Sequence, residues 1–454
     1  MELLDKLRDR SALVSVIGLG YAGLPLAMAF ADAGFRVLGV DVDGDRVAGL
    51  NAGQSHVEDV TTNRLGDHLA AQRFRATADY AELAHADTVT ISVPTPLGPG
   101  HLPDLSFVER AVDGLVPVLR REQLVVLEST TYPGTSEELV QPRLERTGLR
   151  VGEDFYLGFA PERIDPGGTT SGGLTFRQVP KLVAGATPRC LERVSTLYRT
   201  VVDTVVPVSS LRAAEMAKLV ENAFRMVNVG FANEVALWCD QLGLDVWEVL
   251  DAAATKPFGF MPHYPGPGLG GHCIPVDPYY LVWKLKTLDY PARFIELAGE
   301  INRSMPAFVV SKVQESLERH GRPLRGSRVL VLGAAYKRDV ADVRESPSLD
   351  VLSLLIEHGA LAEYHDPHVP SVTVRLSERA LAHVDERGHG ETVRLAAAHL
   401  WPAVDAADCV VICTDHSAYD WETLARRARL IVDTRNALRG ITRHSGHTAE
   451  VVKL

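Results

Sequence analysis

A cysteine lies among glycines and prolines in the segment PGPGLGGHCIPVDPYYL. Structural cysteines normally occupy apolar strands or helices, so this setting makes Cys273 a candidate for chemistry. A thiol with a pKa near ~8.5 must be activated before it acts as a nucleophile. His272 and nearby peptide N–H groups would favour the thiolate, whereas Asp277 would oppose it unless it acts as a base. The residues alone leave a chemical and a structural role open.

Two further pairs of polar residues could act on a carbonyl carbon. Lys218 and Asn222 in EMAKLVEN are four residues apart, which places an ammonium and an amide on one helix face. Such donors can stabilise a developing oxyanion. Thr130, in EST, and Glu162, in FAPERI, each follow a predicted strand and could hold and activate a water molecule. The alternative for each is a solvated polar stripe or an ordinary loop residue.

The sequence predicts no metal site. His263 and His272 suggest a metal, but three well-spaced ligands are not visible. The cysteines are five in number and include no CxxC pair, which favours a reducing cytoplasm over a disulfide framework or a structural zinc site. Besides Cys273 they are Cys190, Cys239, Cys409 and Cys413.

Length and charge limit the possible functions. A chain of 454 residues is too long for one core and predicts two or three domains. The net charge of −11 argues against general binding to nucleic acid or to an anionic membrane, so an anionic ligand must be met by a few local cations. No signal peptide and no membrane-spanning apolar run is apparent, and we expect a cytoplasmic protein.

A dinucleotide-binding pattern lies near the N-terminus. The segment GLGYAG supplies Gly18, Gly20 and Gly23 between a predicted strand and a predicted helix. These glycines permit the tight turn, the approach of a pyrophosphate to the backbone, and close helix–strand packing. Asp41 ends the next strand, where its carboxylate can bind the ribose hydroxyls and repel a 2′-phosphate. We therefore predict NAD rather than NADP as the cofactor, although the neighbouring Arg46 weakens that preference.

Alternating strands and helices predict an α/β protein. Two Rossmann-like, doubly wound domains flank a central helical region with a long helix. The predicted boundaries are 1–208 for the N-terminal NAD-binding domain, 209–322 for the central helical region with the cysteine loop, and 323–454 for the second Rossmann-like domain. Pro306 should kink or break the second long helical pattern. The C-terminal unit has GAAYK in place of the glycine triplet, which favours another anionic nucleotide over a second NAD.

These motifs occur together, and in this order, in one family. The chain resembles the nucleotide-sugar 6-dehydrogenases of the UDP-glucose and GDP-mannose dehydrogenase family over essentially its whole length. The matching stretches are VIGLGYAGLPLA, SVPTP, ESTTYPGT, APERI, EMAKLVENAFR, PGPGLGGHCIPVDP, GAAYKRDVADVRESPS and DTRN. The resemblance implies a homodimer formed through the long central helix, which makes 209–322 the dimerisation domain, and it implies that 323–454 is the nucleotide-sugar-binding domain. It also implies two successive NAD-dependent oxidations of a sugar C6 alcohol to a carboxylate through a thiohemiacetal and a thioester.

The resemblance also implies a role for each matching residue. Cys273 would be the nucleophile, Lys218 and Asn222 would steady the C6 oxygen, and Glu162 would be the base for thioester hydrolysis. Asp277 and Thr130 would assist proton transfer through water. The implied cofactor-binding residues are Gly18, Gly20, Tyr21, Ala22, Gly23, Asp41, Arg46, Val93, Thr95, Ser129, Thr130 and Arg344. The implied substrate-binding residues are Glu162, Arg163, Lys218, Asn222, Tyr264, Gly268, Gly270, Lys337 and Arg435.

Two departures from the family pattern bear on the substrate. Pro166 stands where glucose-specific members carry a second acid, with Asp165 beside it, and KPFGFMPHYPGPG lacks their arginine. Both favour a UDP-N-acetylhexosamine, while UDP-glucose and dTDP-glucose stay open. A two-electron dehydrogenase of the hydroxyacid or 6-phosphogluconate type would need no thiol. A nucleotide-sugar sensor without activity is a further alternative.

Overall fold

The computed structural model describes residues 2–57, 59–163, 174–376, 392–441 and 449–454. The chain divides into two compact units. The first unit comprises Met1–Glu221 and Tyr279–Pro291, and the second comprises Asn222–Pro278 and Ala292–Leu454. The three predicted domain boundaries stay a prediction.

The first unit is built around a sheet of eight strands. Its strands, with those of a small hairpin (β5 and β6), are β1 (Leu13–Ile17), β2 (Arg36–Val40), β3 (Phe74–Thr77), β4 (Thr88–Ile91), β5 (Leu97–Gly98), β6 (Leu102–Pro103), β7 (Leu124–Leu127), β8 (Tyr156–Phe159), β9 (Lys181–Gly185) and β10 (Val205–Pro207). The sheet order is β10-β9-β8-β7-β4-β1-β2-β3. Neighbouring strands are parallel except for β8 and β9.

Helices cover this sheet. They are α1 (Leu3–Arg8), α2 (Gly23–Asp32), α3 (Gly44–Asn51), α4 (Thr62–Ala70), α5 (Ser106–Leu115), α6 (Gln141–Leu144) and α7 (Pro188–Tyr198). Strands β4, β7 and β8 are buried throughout, as expected of parallel strands covered on both faces. The chain order reverses between β1 and β4, and such switch points are where doubly wound sheets bind ligands. The predicted Rossmann-like architecture is confirmed here.

Long helices form the middle of the chain. They are α8 (Leu211–Leu242), α9 (Val246–Ala254), α10 (Asp277–Lys286) and α11 (Arg293–Arg319). The 32-residue α8 is the predicted long central helix. Of the kink or break expected at Pro306, the break is wrong, because α11 continues through this residue, and the kink stays a prediction. Its neighbours Met305 and Val309 belong to the hydrophobic core of the second unit, and this packing offsets the lost backbone hydrogen bond.

The second unit contains another parallel sheet. Its strands and remaining helices are β11 (Arg328–Leu332), α12 (Pro347–Glu357), β12 (Leu361–His365), β13 (Ser371–Arg375), β14 (Thr392–Ala396), α13 (Leu400–Ala406), β15 (Cys409–Ile412), α14 (Trp421–Arg427), β16 (Leu430–Asp433) and β17 (Glu450–Lys453). The sheet order is β12-β11-β15-β16-β17, all parallel, and β13 pairs with β14 in an antiparallel hairpin. Among the described residues no helix combines the length and the apolar character that crossing a membrane requires.

Candidate functional site

The glycine turn after β1 has the shape that a dinucleotide needs. Gly18 has a φ of +90°, and a Cβ added to Gly23 would lie 1.8 Å from the Gly18 carbonyl oxygen. A side chain at Gly23 would therefore push α2 away from the turn. A Cβ added to Gly20 would meet nothing within 4 Å, so its backbone faces open space beside the start of α2. These positions fit the pyrophosphate of NAD.

The acid at the end of β2 is held in place by the same turn. The Leu19 N–H donates to Asp41 Oδ2 at 2.8 Å, and the Asp43 N–H donates to Asp41 Oδ1 at 3.0 Å. Arg46 donates to Asp41 Oδ2 at 2.9 Å, so its guanidinium partly neutralises this carboxylate. A carboxylate oxygen can accept more than one hydrogen bond, so Asp41 can still accept from a ribose hydroxyl.

The loops after β4 and β7 are joined at the carboxyl edge of the sheet. The Val93 N–H donates to Ser129 Oγ at 2.9 Å, and that hydroxyl donates to the Val93 carbonyl at 2.8 Å. Thr95, two residues after Val93, is buried, and Thr130, next to Ser129, is partly exposed. Tyr21 is largely exposed just before α2, with Ala22 at the helix N-cap. The structure thus brings Val93 and Ser129 together, and their role in binding the cofactor stays a prediction.

Glu162, just after β8, takes part in a buried cluster of charged groups. Lys181 Nζ lies 3.1 Å from Glu162 Oε2 and 2.7 Å from Glu128 Oε1. The Arg163 N–H donates to Glu162 Oε1 at 2.7 Å. The Arg163 guanidinium instead pairs with Glu221 of α8 at 2.7 Å, so it anchors this loop to the helix.

Lys218 is buried on α8 one turn after another buried acid, Glu215. Glu215 accepts from the Gly134 N–H at 2.6 Å and from the Ser136 N–H at 2.9 Å. It therefore joins the helix that carries Lys218 to the segment that follows Thr130. Burial raises the pKa of Glu215 to about 7, even though both N–H donors favour its ionised form.

Glu215→Gln should change how stability depends on pH. The pKa of Glu215 is about 7 in the folded chain against an ordinary value of 4.5, so between these pH values the folded state binds more protons than the unfolded state. Its contribution to stability is therefore lost as the pH rises through this window, by about 3 kcal/mol. Thermal unfolding at pH 5 and pH 8 should show a smaller pH effect for the variant. An unchanged pH effect would contradict this assignment.

The cysteine loop of the second unit leads directly into α10, whose first two residues, Asp277 and Pro278, belong to the same unit. The Asp277 N–H donates to the Cys273 carbonyl at 2.8 Å, and the Val276 N–H donates to it at 3.3 Å. Cys273, which is half-buried, thus lies at the positive end of a helix dipole, a position that favours a thiolate. The buried Asp277 carboxylate accepts from Asn222 Nδ2 at 2.5 Å. Asn222, Cys273 and Asp277 are therefore joined within this unit.

The histidine beside the thiol does not provide a charge. Burial lowers the pKa of His272, and the nearby charge of Arg344 lowers it further. The neutral form of the imidazole is therefore favoured, and the helix N-terminus adds electrostatics that stabilise the thiolate. The predicted influence of His272 on Cys273 stays a prediction.

The glycines before the cysteine pack against the loop that follows β11. A Cβ added to Gly270 would lie 2.7 Å from Tyr336 Cβ, and one added to Gly268 would lie 2.8 Å from Pro347 Cβ. The Gly271 N–H donates to the Arg344 carbonyl at 3.1 Å. Gly268 and Gly270, predicted to bind substrate, thus first of all permit this close packing.

The predicted substrate cations, Lys337 and Arg435, and the predicted cofactor residue Arg344 have different settings. Arg435 donates from Nε to the Cys413 carbonyl at 2.8 Å, and burial lowers its pKa. Lys337 is half-buried in the loop after β11. The Arg344 guanidinium forms a forked pair with Asp342, with a shortest distance of 2.7 Å. All of them belong to the second unit.

Tyr264, also predicted to bind substrate, has partners within the second unit. Its hydroxyl donates to Asp251 at 2.8 Å, and its ring stacks on Trp247 with centroids 5.7 Å apart. Arg439 pairs with the same carboxylate at 2.9 Å. These contacts fix the start of the cysteine loop on α9.

The acid at the end of β12 differs from Asp41. Asp366 Oδ2 accepts from the Ala334 and Ala335 N–H groups at 2.8 and 2.9 Å, and Oδ1 accepts from His368 and Val369. Burial alone would raise the pKa of Asp366, but hydrogen bonds from His416 and the backbone lower it to about 2. The Asp366 carboxylate thus accepts its hydrogen bonds from groups of the protein itself, which is consistent with a second unit that does not bind a second NAD.

Among the described residues, one group of side chains has the spacing of metal ligands: Asp339, His368 and His416. His416 Nδ1 accepts from the Asp339 N–H at 2.9 Å, and its Nε2 lies 3.1 Å from Asp366 Oδ2. Both ring nitrogens of His416 are therefore used in the protein's own hydrogen bonds. The absence of a metal stays a prediction.

Three models of one protein family match successive parts of the chain. The family models that match are the NAD-binding domain (residues 12–202), the central domain (212–304) and the UDP-binding domain (330–440) of the UDP-glucose/GDP-mannose dehydrogenase family. The chain belongs to this family. The predicted family, the NAD cofactor and the class of enzyme are thereby confirmed.

Individual members of the family act on different sugars. A UDP-N-acetyl-D-glucosamine 6-dehydrogenase of Pseudomonas aeruginosa is 35% identical over 390 residues, covering 85% of this chain and 90% of that protein. The structure of a UDP-D-ManNAc dehydrogenase from Pyrococcus horikoshii has a TM-score of 0.83 and 33% identity, covering 97% and 99% of the two chains. A UDP-glucose dehydrogenase from Pyrobaculum islandicum has a TM-score of 0.80 and 29% identity, covering 98% and 97%.

Some features of the site were missed or lie outside the described residues. Asp165 and Pro166, where the sequence departs from glucose-specific family members, are outside the described ranges. Lys181, Glu128 and Glu215 were not predicted to contribute. A lysine at the start of an otherwise apolar strand, KLVAG, is a weak signal for a buried ion pair.

Proposed function

We propose that this dehydrogenase oxidises the C6 hydroxyl of a UDP-N-acetylhexosamine to a carboxylate through a covalent intermediate on Cys273. The observation that carries the proposal is the placement of Cys273 at the N-terminus of α10, where the Asp277 N–H donates to the Cys273 carbonyl and the Asp277 carboxylate accepts from Asn222. An ordinary alcohol dehydrogenase has no need of a thiol placed in this way. Overall, one alcohol, one water and two NAD⁺ would give one carboxylate, two NADH and three protons.

Each residue has a defined task in this reaction. NAD, when bound, accepts the two electrons and the hydrogen of each oxidation. Lys218 and the Asn222 amide would hold the C6 oxygen, while Asp277 and Thr130 would take up its proton through water. The Cys273 sulfur would add to the C6 aldehyde, and the resulting thiohemiacetal would be oxidised to a thioester.

Hydrolysis would complete the cycle. Glu162 would take a proton from water, whose oxygen attacks the thioester carbon, and the C–S bond would break to return Cys273 as a thiolate. Lys337 and Arg435 would meet the diphosphate and sugar, and Arg344 would reach NAD. A few local cations can thus bind an anionic substrate to a protein with a net charge of −11.

The sugar preference is supported by the relatives and by the cysteine loop. The two relatives described above that are named for N-acetylated UDP-sugars are 35% and 33% identical to this chain, and the UDP-glucose dehydrogenase is 29% identical. The segment before the cysteine, KPFGFMPHYPGPG, contains no arginine. UDP-glucose is the second candidate, because its dehydrogenase has almost the same fold.

Purified enzyme should be tested with NAD and a panel of sugars. The panel consists of the UDP-linked N-acetylhexosamines, UDP-glucose and dTDP-glucose. We expect two NADH per sugar, with the highest kcat/KM for an N-acetylhexosamine. One NADH per sugar would favour the two-electron alternative, and no NADH with any sugar would favour a sensor.

We also propose that the enzyme is a homodimer formed through α8. Five apolar side chains of this helix recur at spacings of four and seven residues, and each is between 37% and 50% exposed in the single chain: Met216, Val220, Phe224, Phe231 and Trp238. Such spacings place them along one side of the helix. A continuous exposed apolar stripe of this kind indicates a protein interface.

Phe231→Glu should break this dimer. The Phe231 ring packs edge-on against Trp238, with centroids 5.9 Å apart, so a carboxylate there would be buried without a partner in the interface. We expect the dissociation constant to rise by about 100-fold or more, measured by sedimentation. Val249→Glu, an equally drastic change on α9, is the control and should stay dimeric. A dimeric Phe231→Glu variant would contradict this interface.

A further inference from the structure

The buried lysine beside Glu162 has no part in the reaction proposed above. Lys181 begins β9, and its side chain is 4% exposed. Its ammonium lies 2.7 Å from Glu128, directly after β7, and 3.1 Å from Glu162, after β8. A cation is costly to bury unless it is paired, so two carboxylates at these distances account for its place in the core.

The two carboxylates have unequal surroundings. Glu128 is fully buried and accepts from the Tyr198 hydroxyl at 2.7 Å, whereas Glu162 is partly exposed at the start of its loop. Burial raises the pKa of Glu128, and its two carboxylate partners keep Lys181 charged. Of the two acids, Glu162 alone combines contact with this cation with access to solvent, as a base that receives a proton from water requires.

We propose that Lys181 is a positioning residue that keeps Glu162 ionised and oriented for thioester hydrolysis, with Glu128 and Tyr198 holding the ammonium in place. This inference rests on the proposed function. Glu162 also faces the Arg163 N–H and the Arg163–Glu221 ion pair. Neither neutralises the Glu162 carboxylate, because the Arg163 guanidinium is already paired with Glu221.

The test follows the hydrolysis step itself. Enzyme in excess is mixed with UDP-N-acetylhexosamine and NAD, quenched at successive times, and the decay of the Cys273 adduct is read by intact-mass spectrometry between about pH 5 and 9. The variants are Lys181→Met, Glu128→Gln and the double variant. In the double variant only the partly exposed Glu162 loses its cation, because the fully buried carboxylate of Glu128 is removed as well. The amide oxygen introduced at position 128 can still accept from the Tyr198 hydroxyl. The double variant therefore protects against loss of folding.

We expect the acid limb of the pH–rate profile to move to higher pH by about one unit or more in Lys181→Met and in the double variant, because the carboxylate loses its cation. Glu128→Gln keeps the Lys181 ammonium beside Glu162 and should not move the acid limb to higher pH. Lys6→Met, which removes a lysine paired with Asp87 at 2.8 Å elsewhere in the first unit, is the control and should leave the limb in place.

The possible failures can be told apart. If the double variant hydrolyses more slowly at every pH with an unmoved limb, Lys181 is only structural and the inference is overturned. The inference is also overturned if Glu128→Gln moves the acid limb to higher pH as far as Lys181→Met does. If the wild-type enzyme forms neither NADH nor an adduct on Cys273, the proposed function itself fails.

Discussion

Cys273→Ser is expected to lower the rate of complete four-electron oxidation by about 1,000-fold or more. A serine hydroxyl stays protonated at neutral pH, so the helix N-terminus that favours a thiolate has no anion to stabilise. The first oxidation does not use the sulfur, so at most one NADH per sugar should form. NADH absorbance, calibrated against the sugar consumed, measures both rate and stoichiometry.

The control for this variant is Cys239→Ala. Cys239 is a buried cysteine of α8 in the second unit and has no role in the proposed reaction. Its replacement should leave the stoichiometry at two NADH per sugar. One NADH per sugar from the wild-type enzyme, with an unchanged rate in Cys273→Ser, would instead identify a two-electron dehydrogenase, and the thiol would then be structural.

The fold could be predicted because its signals are local. Apolar runs such as VSVIG and RVLVLG become buried parallel strands, and the glycine triplet forces one tight turn between β1 and α2. The helix containing Pro306 was predicted less well. A proline predicts a break from local sterics, but packing on the core of the second unit holds α11 together.

The candidate site was only partly predictable, because several of its properties depend on contacts distant in sequence. Asp41 and Asp366 both follow the second strand of a Rossmann-like unit, and the sequence alone does not distinguish them. Only the structure shows that Asp366 is enclosed by hydrogen bonds from His416 and the backbone. In the same way, His272 is neutral because of its burial and Arg344, neither of which its neighbours in sequence reveal.

The closeness of Gly270 to Tyr336 is another property of the folded chain. The glycine-rich sequence indicates backbone freedom, and it gives no indication of which surface needs that freedom. In the structure, the loop after β11 approaches so closely that a single Cβ would clash. The glycines are therefore required for position as much as for flexibility, and this explains why the thiol lies in a segment so poor in apolar side chains.

Glu162→Gln should stop the reaction after the second oxidation. The amide cannot accept a proton from water, so thioester hydrolysis should slow by about 100- to 10,000-fold. Each active site should still complete both oxidations one time. Intact-mass spectrometry should then show the sugar nucleotide on the enzyme, and digestion should locate it on the peptide that contains Cys273. Two NADH per active site should form in a burst.

Glu221→Gln is the matched control, since it removes a neighbouring carboxylate that pairs with Arg163 rather than with Lys181. It should turn over without accumulating an adduct. The Glu162 substitution keeps size and shape but places an amide group beside either the Lys181 ammonium or the Arg163 N–H, so one hydrogen bond is lost. A loss of folding would abolish the burst, whereas a lost base preserves it. A Glu162→Gln enzyme that carries added mass on another residue, or that turns over normally, would show that the thioester is not hydrolysed in the proposed way.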